Sequence, residues 1–136
     1  MIIDSHCHLE YEPMSLTLND IVARANKDGV KYLLTISTTD KSLKKILKIT
    51  EDFDCVYGTY GIHPHEAKNH KNITSKDIIE KINLSKKIIG IGETGLDFYY
   101  NYSEKKDQIE SLEEHIDSAQ TLNIPLIVHT RSAEKE

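Results

Sequence analysis

From the amino terminus onward, short apolar runs alternate with longer segments whose apolar residues recur every three or four positions. The first run, Met1 to Leu9, predicts a strand that gives way to a polar loop over Glu10 to Pro13. Ile21, Val22 and Ala25 then share one helical face behind a Thr17 cap, and Gly29 supplies the stop. Val30 to Ser37 predicts a second strand. A second helix begins at Thr39 or Asp40, turns Leu43, Ile46, Leu47 and Ile49 inward, and ends near Glu51 or Asp52. Asp54 to Ile62 predicts the third strand. Thr74 or Ser75 caps a third helix with Ile78, Ile79 and Ile82 inside, and Lys87 to Glu93 predicts the fourth strand. Ser103 caps the longest helix, whose buried stripe reads as Ile109, Leu112, Ile116, Ala119 and Leu122. Ile124 to His129 is the fifth strand, with Pro125 near its start.

The predicted strands are continuous apolar runs separated by helices, which implies right-handed crossovers and a parallel sheet covered by helices. The class is α/β, and with no repeat or Ser/Gly linker the 136 residues read as one domain. Composition narrows the functions. The chain is 38% hydrophobic and 29% charged, and runs such as Ile88 to Ile91 are far too short to span a membrane. Met1-Ile2-Ile3-Asp4 lacks the basic start and apolar stretch of a signal peptide, so the expected compartment is the cytoplasm, with Cys7 and Cys55 as reduced thiols. A formal net charge of −5 offers no global field for nucleic acid. Contact with a polyanion must be local or bridged by cations.

Five of the seven histidines, His6, His8, His63, His65 and His129, fall at the carboxyl ends of three predicted strands, the edge where parallel α/β folds bind ligands. His6 and His8 are two apart on a strand and project from one face, whereas Cys7 between them faces the other way, packed under a helix. Glu93 ends the fourth strand among small glycines, and His129 ends the fifth. Two histidines, a carboxylate and a third histidine are a plausible ligand set for two divalent ions. A bridging carboxylate would bring the ions to ~3.5–4 Å and lower the pKa of a bound water. The competing structural reading has His6 and His8 filling the interior and Glu93 paired with Arg131. Asp4 either orients an imidazole or serves as a strand-end acid with a backbone partner. Asp97, Phe98, Tyr99 and Tyr100 read as an aromatic loop that either packs locally or stacks bases of a single strand. His70, His115 and the charge run from Glu104 to Glu114 read as solvated.

Four segments in order, Asp4-Ser5-His6-Cys7-His8-Leu9, Gly61-Ile62-His63-Pro64-His65, Gly92-Glu93-Thr94-Gly95-Leu96-Asp97 and Pro125-Leu126-Ile127-Val128-His129-Thr130-Arg131, resemble the TatD family of metal-dependent deoxyribonucleases. The resemblance covers nearly the whole chain. It implies an amidohydrolase-like TIM barrel, of which about five of the eight strands lie within residues 1–136, and phosphodiester hydrolysis on DNA, with single-stranded ends as substrate. It also implies His6 and His8 on the first metal, Glu93 bridging both and serving catalysis, and His129 on the second. His63, His65 and Arg131 would sit beside the substrate phosphate. The ions would be Mg²⁺ first, with Mn²⁺ or Zn²⁺ also accepted. The family draws a further His and an Asp from later strands, so the second site is incomplete here. Five strands cannot close the barrel, so self-association or a complementing chain is expected. Two alternatives stand: a small-molecule hydrolase of the same superfamily, and a non-catalytic remnant that keeps a partial metal site.

Overall fold

In the computed structural model, which describes residues 1–135, five parallel strands follow one another across the sheet in chain order. They are β1 (Ile2–Cys7), β2 (Val30–Thr35), β3 (Val56–Tyr60), β4 (Ile88–Asp97) and β5 (Leu126–Arg131). The helices between them are α1 (Leu18–Lys27), α2 (Asp40–Asp52), α3 (Ser75–Ile82) and α4 (Lys105–Leu122), with short 3₁₀ turns at Met14–Leu16 and Pro64–Asn69. Because every crossover between neighbouring parallel strands has the same hand, the helices gather on one face. Two apolar clusters hold that face. Leu43, Ile46, Tyr60, Ile62, Ile78, Ile82, Ile88 and Ile91 form the larger one with Ala119. Leu9, Val22, Leu33, Ile49 and Val56 form the smaller, with Cys7 against it as expected. Each fully buried Ile or Leu contributes about 1.5–3 kcal/mol.

Among the described residues, the opposite face carries no helices. Ile3, Tyr32, Leu34, Tyr57 and Ile89 surround a shallow apolar groove there. Ile3 is 54% and Ile89 43% exposed. The strands are apolar throughout, but only one face meets helices. β1 and β5 are the unpaired edges among the described residues.

Helix starts show where capping chemistry decides and where it is overridden. Thr39 with Ser42, and Thr74 with Asp77, form reciprocal capping boxes on α2 and α3, each cap contributing about 1 kcal/mol. Thr17 occupies the cap position of α1 but makes no side-chain cap bond, contrary to its predicted role, because its backbone (φ −135°, ψ 36°) continues out of the preceding 3₁₀ turn. Ser103 does not cap α4 either, and Glu104 holds that position. The Ser103 hydroxyl is committed elsewhere, donating to the His65 carbonyl at 2.9 Å and accepting the Lys68 amide at 3.1 Å.

The buried stripe of α4 corrects the sequence reading by one residue around the helix. Gln108, Ser111, His115, Ser118 and Ala119 are buried, while Ile116 is 37% exposed. The reason is polar. Gln108 accepts the Asp97 amide at 2.7 Å and donates to the Asp97 and Ser103 carbonyls at 3.1 and 2.9 Å. His115, read as solvated, is fully buried; its Nε2 accepts the Ile62 amide at 3.0 Å and its Nδ1–H donates to the Ser111 carbonyl at 2.6 Å. An apolar residue at either position would strand backbone groups where the strands end. Strand ends also shift: β4 runs four residues past Glu93, and β5 extends beyond His129 to Arg131.

Two consequences can be measured. Light scattering coupled to gel filtration should show the 136-residue chain as a dimer or larger species, since two edges and an apolar groove stay open; a stable monomer would exclude this. Burial pushes the His115 imidazole down from 6.5 to about 4. The unfolded chain therefore takes up a proton that the folded chain refuses. His115's contribution is intact above pH 6.5 and is lost as pH falls toward 4, by about 3 kcal/mol. Urea midpoints between pH 7 and 4.5 should fall more steeply for the wild type than for His115→Gln, and equal slopes would refute the assignment.

Candidate metal centre

The sheet delivers its chemistry where β4 approaches its neighbours most closely. Gly92 and Gly95 hold φ of +131° and +142°, and a Cβ at either would collide with the Ile127 or the His129 carbonyl of β5. Between Ile91 and Thr94 the pairing register shifts, which turns Glu93 into the rim. The Glu93 amide donates to the Ser37 carbonyl at 2.7 Å, and Thr59 donates to the Gly92 carbonyl at 2.5 Å, so the backbone is pinned from two strands.

The Glu93 side chain is 12% exposed and meets imidazoles on both oxygens. His6 Nε2 lies 3.4 Å and His8 Nε2 4.0 Å from Oε2, and His129 Nδ1 lies 3.3 Å from Oε1. These separations test the fit of a metal. Donors around a tetrahedral ion with bonds of roughly 2.0–2.2 Å stand about 3.3–3.6 Å apart. The His6–Glu93 and His129–Glu93 distances match that spacing. Donor atoms of His6, His8 and Glu93 lie within 4.8 Å of one another, and so do those of His63, Glu93 and His129. Glu93 belongs to both sets. A third group, His65, Asp97 and His129, is drawn together differently, because His65 Nε2 and His129 Nε2 reach Asp97 Oδ2 at the hydrogen-bond distances of 2.7 and 3.0 Å.

Ring orientation follows from the partner of the second nitrogen. A carbonyl only accepts, so His8 Nδ1 carries the proton it donates to Ile36 at 3.0 Å, and Nε2 is left with its lone pair toward Glu93. The hydrogen bond to Glu10 (Nδ1 to Oε1, 3.4 Å) raises the His8 pKa against the opposing effect of burial. Glu10 is fully buried and accepts the Thr35 hydroxyl at 2.8 Å. His129 is oriented in the same manner by Asp97, which leaves its Nδ1 facing Glu93. Burial opposes the charge on Asp97, but hydrogen bonds from His65, His129 and the amides of Tyr100 and Tyr99 outweigh it and hold the carboxyl near about 2. His63 Nδ1 accepts the His65 amide at 3.2 Å, so in the neutral ring Nε2 carries the proton and is the donor. Burial, reinforced by His129, pushes its pKa down to about 4 and keeps it neutral.

Of the residues singled out from sequence, His6, His8, Glu93 and His129 converge, and His63 joins the second donor set. His65 stands one residue back, held on Asp97. Arg131 does not pair with Glu93; its Nε is 3.9 Å from Asp97 Oδ2 and its guanidinium lies 5.0 Å over the Tyr100 ring. Asp4 accepts the His6 amide at 3.2 Å, so it holds backbone rather than an imidazole. The Cys7 thiol donates to the Leu34 carbonyl at 3.3 Å, and burial pushes its pKa up to about 12, which suits a packing role. The sequence pattern does not single out Asp97 or Glu10 as site residues. The predicted fourth strand ends at Glu93 and leaves Asp97 in a loop, whereas β4 runs on and puts a second carboxylate at its tip. Glu10 is visible only as an acid two residues after His8.

A parallel sheet with helices on one face and two imidazole–carboxylate sets at its carboxyl-terminal rim defines the chain as part of a (β/α)-barrel protein whose rim could hold metal ions. Comparison with known proteins supplies the family. The profile described as TatD related DNase matches residues 3–136, and the chain belongs to the TatD family. It is 37% identical over 135 residues to a protein of Buchnera aphidicola subsp. Baizongia pistaciae named "Uncharacterized metal-dependent hydrolase", covering 97% of this chain and 50% of that one. It is 31% identical over 146 residues to human "Deoxyribonuclease TATDN3", covering 97% and 53%. The crystal structure of YJJV, a TatD homolog from Escherichia coli K12, superposes with a TM-score of 0.88 at 25% identity, over 96% of this chain and 51% of that one. The chain thus spans about half the length of these relatives, and its five strands form half of a TIM barrel. Among the described residues, no helix is long and apolar enough to cross a membrane.

Calorimetric titration with Mn²⁺ or Zn²⁺ checks the centre. Glu93→Ala should abolish binding, and Asp97→Asn should weaken it about 10–100-fold by freeing the His129 ring. Wild-type affinity in both variants would refute the assignment.

Proposed function

We propose that this chain carries the metal-dependent phosphodiesterase site of a TatD-type deoxyribonuclease, acting on single-stranded DNA ends with two divalent cations, Mg²⁺ first among them. The observation that supports this best is the carboxylate of Glu93, which offers one oxygen to His6 and His8 and the other to His129. His6, His8 and Glu93 would hold the first ion, and Glu93 and His129 the second, with His63 beside them for the substrate phosphate. Such ions polarise a phosphate and lower the pKa of the attacking water. The chain's own side chains then position. Asp97 keeps the imidazoles of His65 and His129 in place, and neutral His63 presents its Nε2–H as a donor for a phosphate oxygen. Arg131, half exposed at the rim, supplies a cation for a phosphate oxygen. The bound cations also answer the net charge of −5, which otherwise repels a polyanion.

The human relative named a deoxyribonuclease supports DNA as the substrate. The open β1 and β5 edges support completion of the barrel by a second copy or a complementing chain, with activity depending on that assembly. The compartment we propose is the cytoplasm, in keeping with two free thiols, Cys7 and Cys55.

The test is degradation of end-labelled single-stranded and duplex DNA by the purified chain with Mg²⁺, Mn²⁺, Zn²⁺ or EDTA. Metal-dependent loss of label from the single strand, absent in Glu93→Ala, is the expected result. Hydrolysis of small esters or lactones with DNA left intact would move the chain to the small-molecule branch. No turnover on any substrate, even on co-expression with a complementing half, would make it a non-catalytic remnant.

A further inference from the structure

The loop after β4 exposes three aromatic side chains within four residues, with Tyr99 64%, Tyr100 44% and Tyr102 54% accessible. Their arrangement is ordered. Tyr100 and Tyr102 are stacked with 5° between their planes and centroids 5.5 Å apart, and Tyr99 stands edge-on to Tyr100 at 4.8 Å. The pair abuts the candidate centre directly. The His65 ring lies 4.8 Å from Tyr102 and 5.8 Å from Tyr100, and it in turn faces His129 at 6.1 Å. Arg131 sits at the junction, its guanidinium over Tyr100 and its Nε beside Asp97. Asp97 also fixes the loop's path, accepting the amides of Tyr99 at 3.1 Å and Tyr100 at 3.2 Å on the oxygen that the imidazoles do not use. One buried carboxylate therefore orients a donor of the metal centre and anchors the aromatic platform.

We propose that Tyr100 and Tyr102 form a stacking subsite for an unpaired nucleobase of the strand whose phosphate lies at the metal centre. The inference rests on the phosphodiesterase reading and adds how the strand is held. Flat, half-exposed, stacked rings with an adjacent guanidinium match a base and its own phosphate, one sugar apart. A paired base is sheltered within its duplex and offers no free face, so this subsite selects single strands and frayed ends. Every base has a π-face, so it tolerates any sequence. Each ring spends one face on the other, yet Tyr100 stays 44% and Tyr102 54% exposed, an open aromatic area that local packing alone does not require.

The chain contains seven tyrosines and no tryptophan, and three of the seven lie in this loop, so the part of its intrinsic emission that Tyr100→Leu/Tyr102→Leu removes reports on the platform without a label. The experiment titrates the Mg²⁺-loaded chain with a hydrolysis-resistant phosphorothioate oligothymidylate and with an abasic oligomer of equal charge. The thymidylate should quench tyrosine emission and bind about 5- to 150-fold more tightly than the abasic oligomer, the range set by stacking of a single base. In Tyr100→Leu/Tyr102→Leu that advantage should vanish, with circular dichroism and metal affinity unchanged, whereas Tyr→Phe at both positions should retain it. Equal binding of the two oligomers by the wild type would overturn the stacking subsite and leave the phosphodiesterase reading standing. Binding of neither oligomer would overturn both.

Discussion

Glu93 sets the terms for the rest of the molecule. A carboxylate that is 12% exposed is costly unless its charge is answered, and here the imidazoles of His6, His8 and His129 ring it, His8 and His129 with their protons committed on the far side, an arrangement that a cation between them would satisfy. His6 and His129 stand 3.4 and 3.3 Å from its oxygens, the spacing of ligands around an ion, and His8 stands back at 4.0 Å. The backbone is arranged to permit this. Positive φ at Gly92 and Gly95 lets β4 press against β5 without a Cβ in between, and the register shift there aims Glu93 at the rim rather than into the sheet.

Around this carboxylate the structure places two others that do not face the centre themselves. Glu10 and Asp97 are fully buried, and each engages the far nitrogen of an imidazole whose near nitrogen turns toward Glu93. The two supports differ in strength. Asp97 receives two imidazoles and two amides, whereas His8 is held chiefly by the Ile36 carbonyl, with Glu10 at 3.4 Å. Gln108 of α4 then ties the Asp97 backbone on both its amide and its carbonyl. The longest helix thus serves the rim through polar side chains, and its apolar residues are turned partly to solvent.

The same fold leaves apolar surface unclaimed. Chain-order pairing of parallel strands curls the sheet with helices on the outside, so its inner face is the interior of a barrel. With five strands that interior is a groove lined by Ile3, Tyr32, Leu34, Tyr57 and Ile89. Stability therefore resides in the helix–sheet layer, where Ile46, Ile62, Ile78 and Ile91 are completely buried. Chemistry resides at the rim, where the strands end.

Much of this was legible in the chain. Runs such as Val30 to Ser37 alternating with helical periodicity determined a parallel α/β sheet, since only crossover helices join such strands; the His-x-His pair, Glu93 and His129 at strand ends marked the rim where the donor groups gather, since alternation puts His6 and His8 on one side. Capping boxes at Thr39 and Thr74 were likewise local facts, because donor and acceptor are three residues apart. What the chain could not announce were contacts between residues distant in sequence. The burial of His115 depends on an amide 53 residues away, and the role of Asp97 on imidazoles 32 residues to either side. A scale of hydrophobicity assigns both to solvent. Only the tertiary structure decided otherwise, because a polar group is stable inside when, and only when, folding brings its partner to hydrogen-bonding distance.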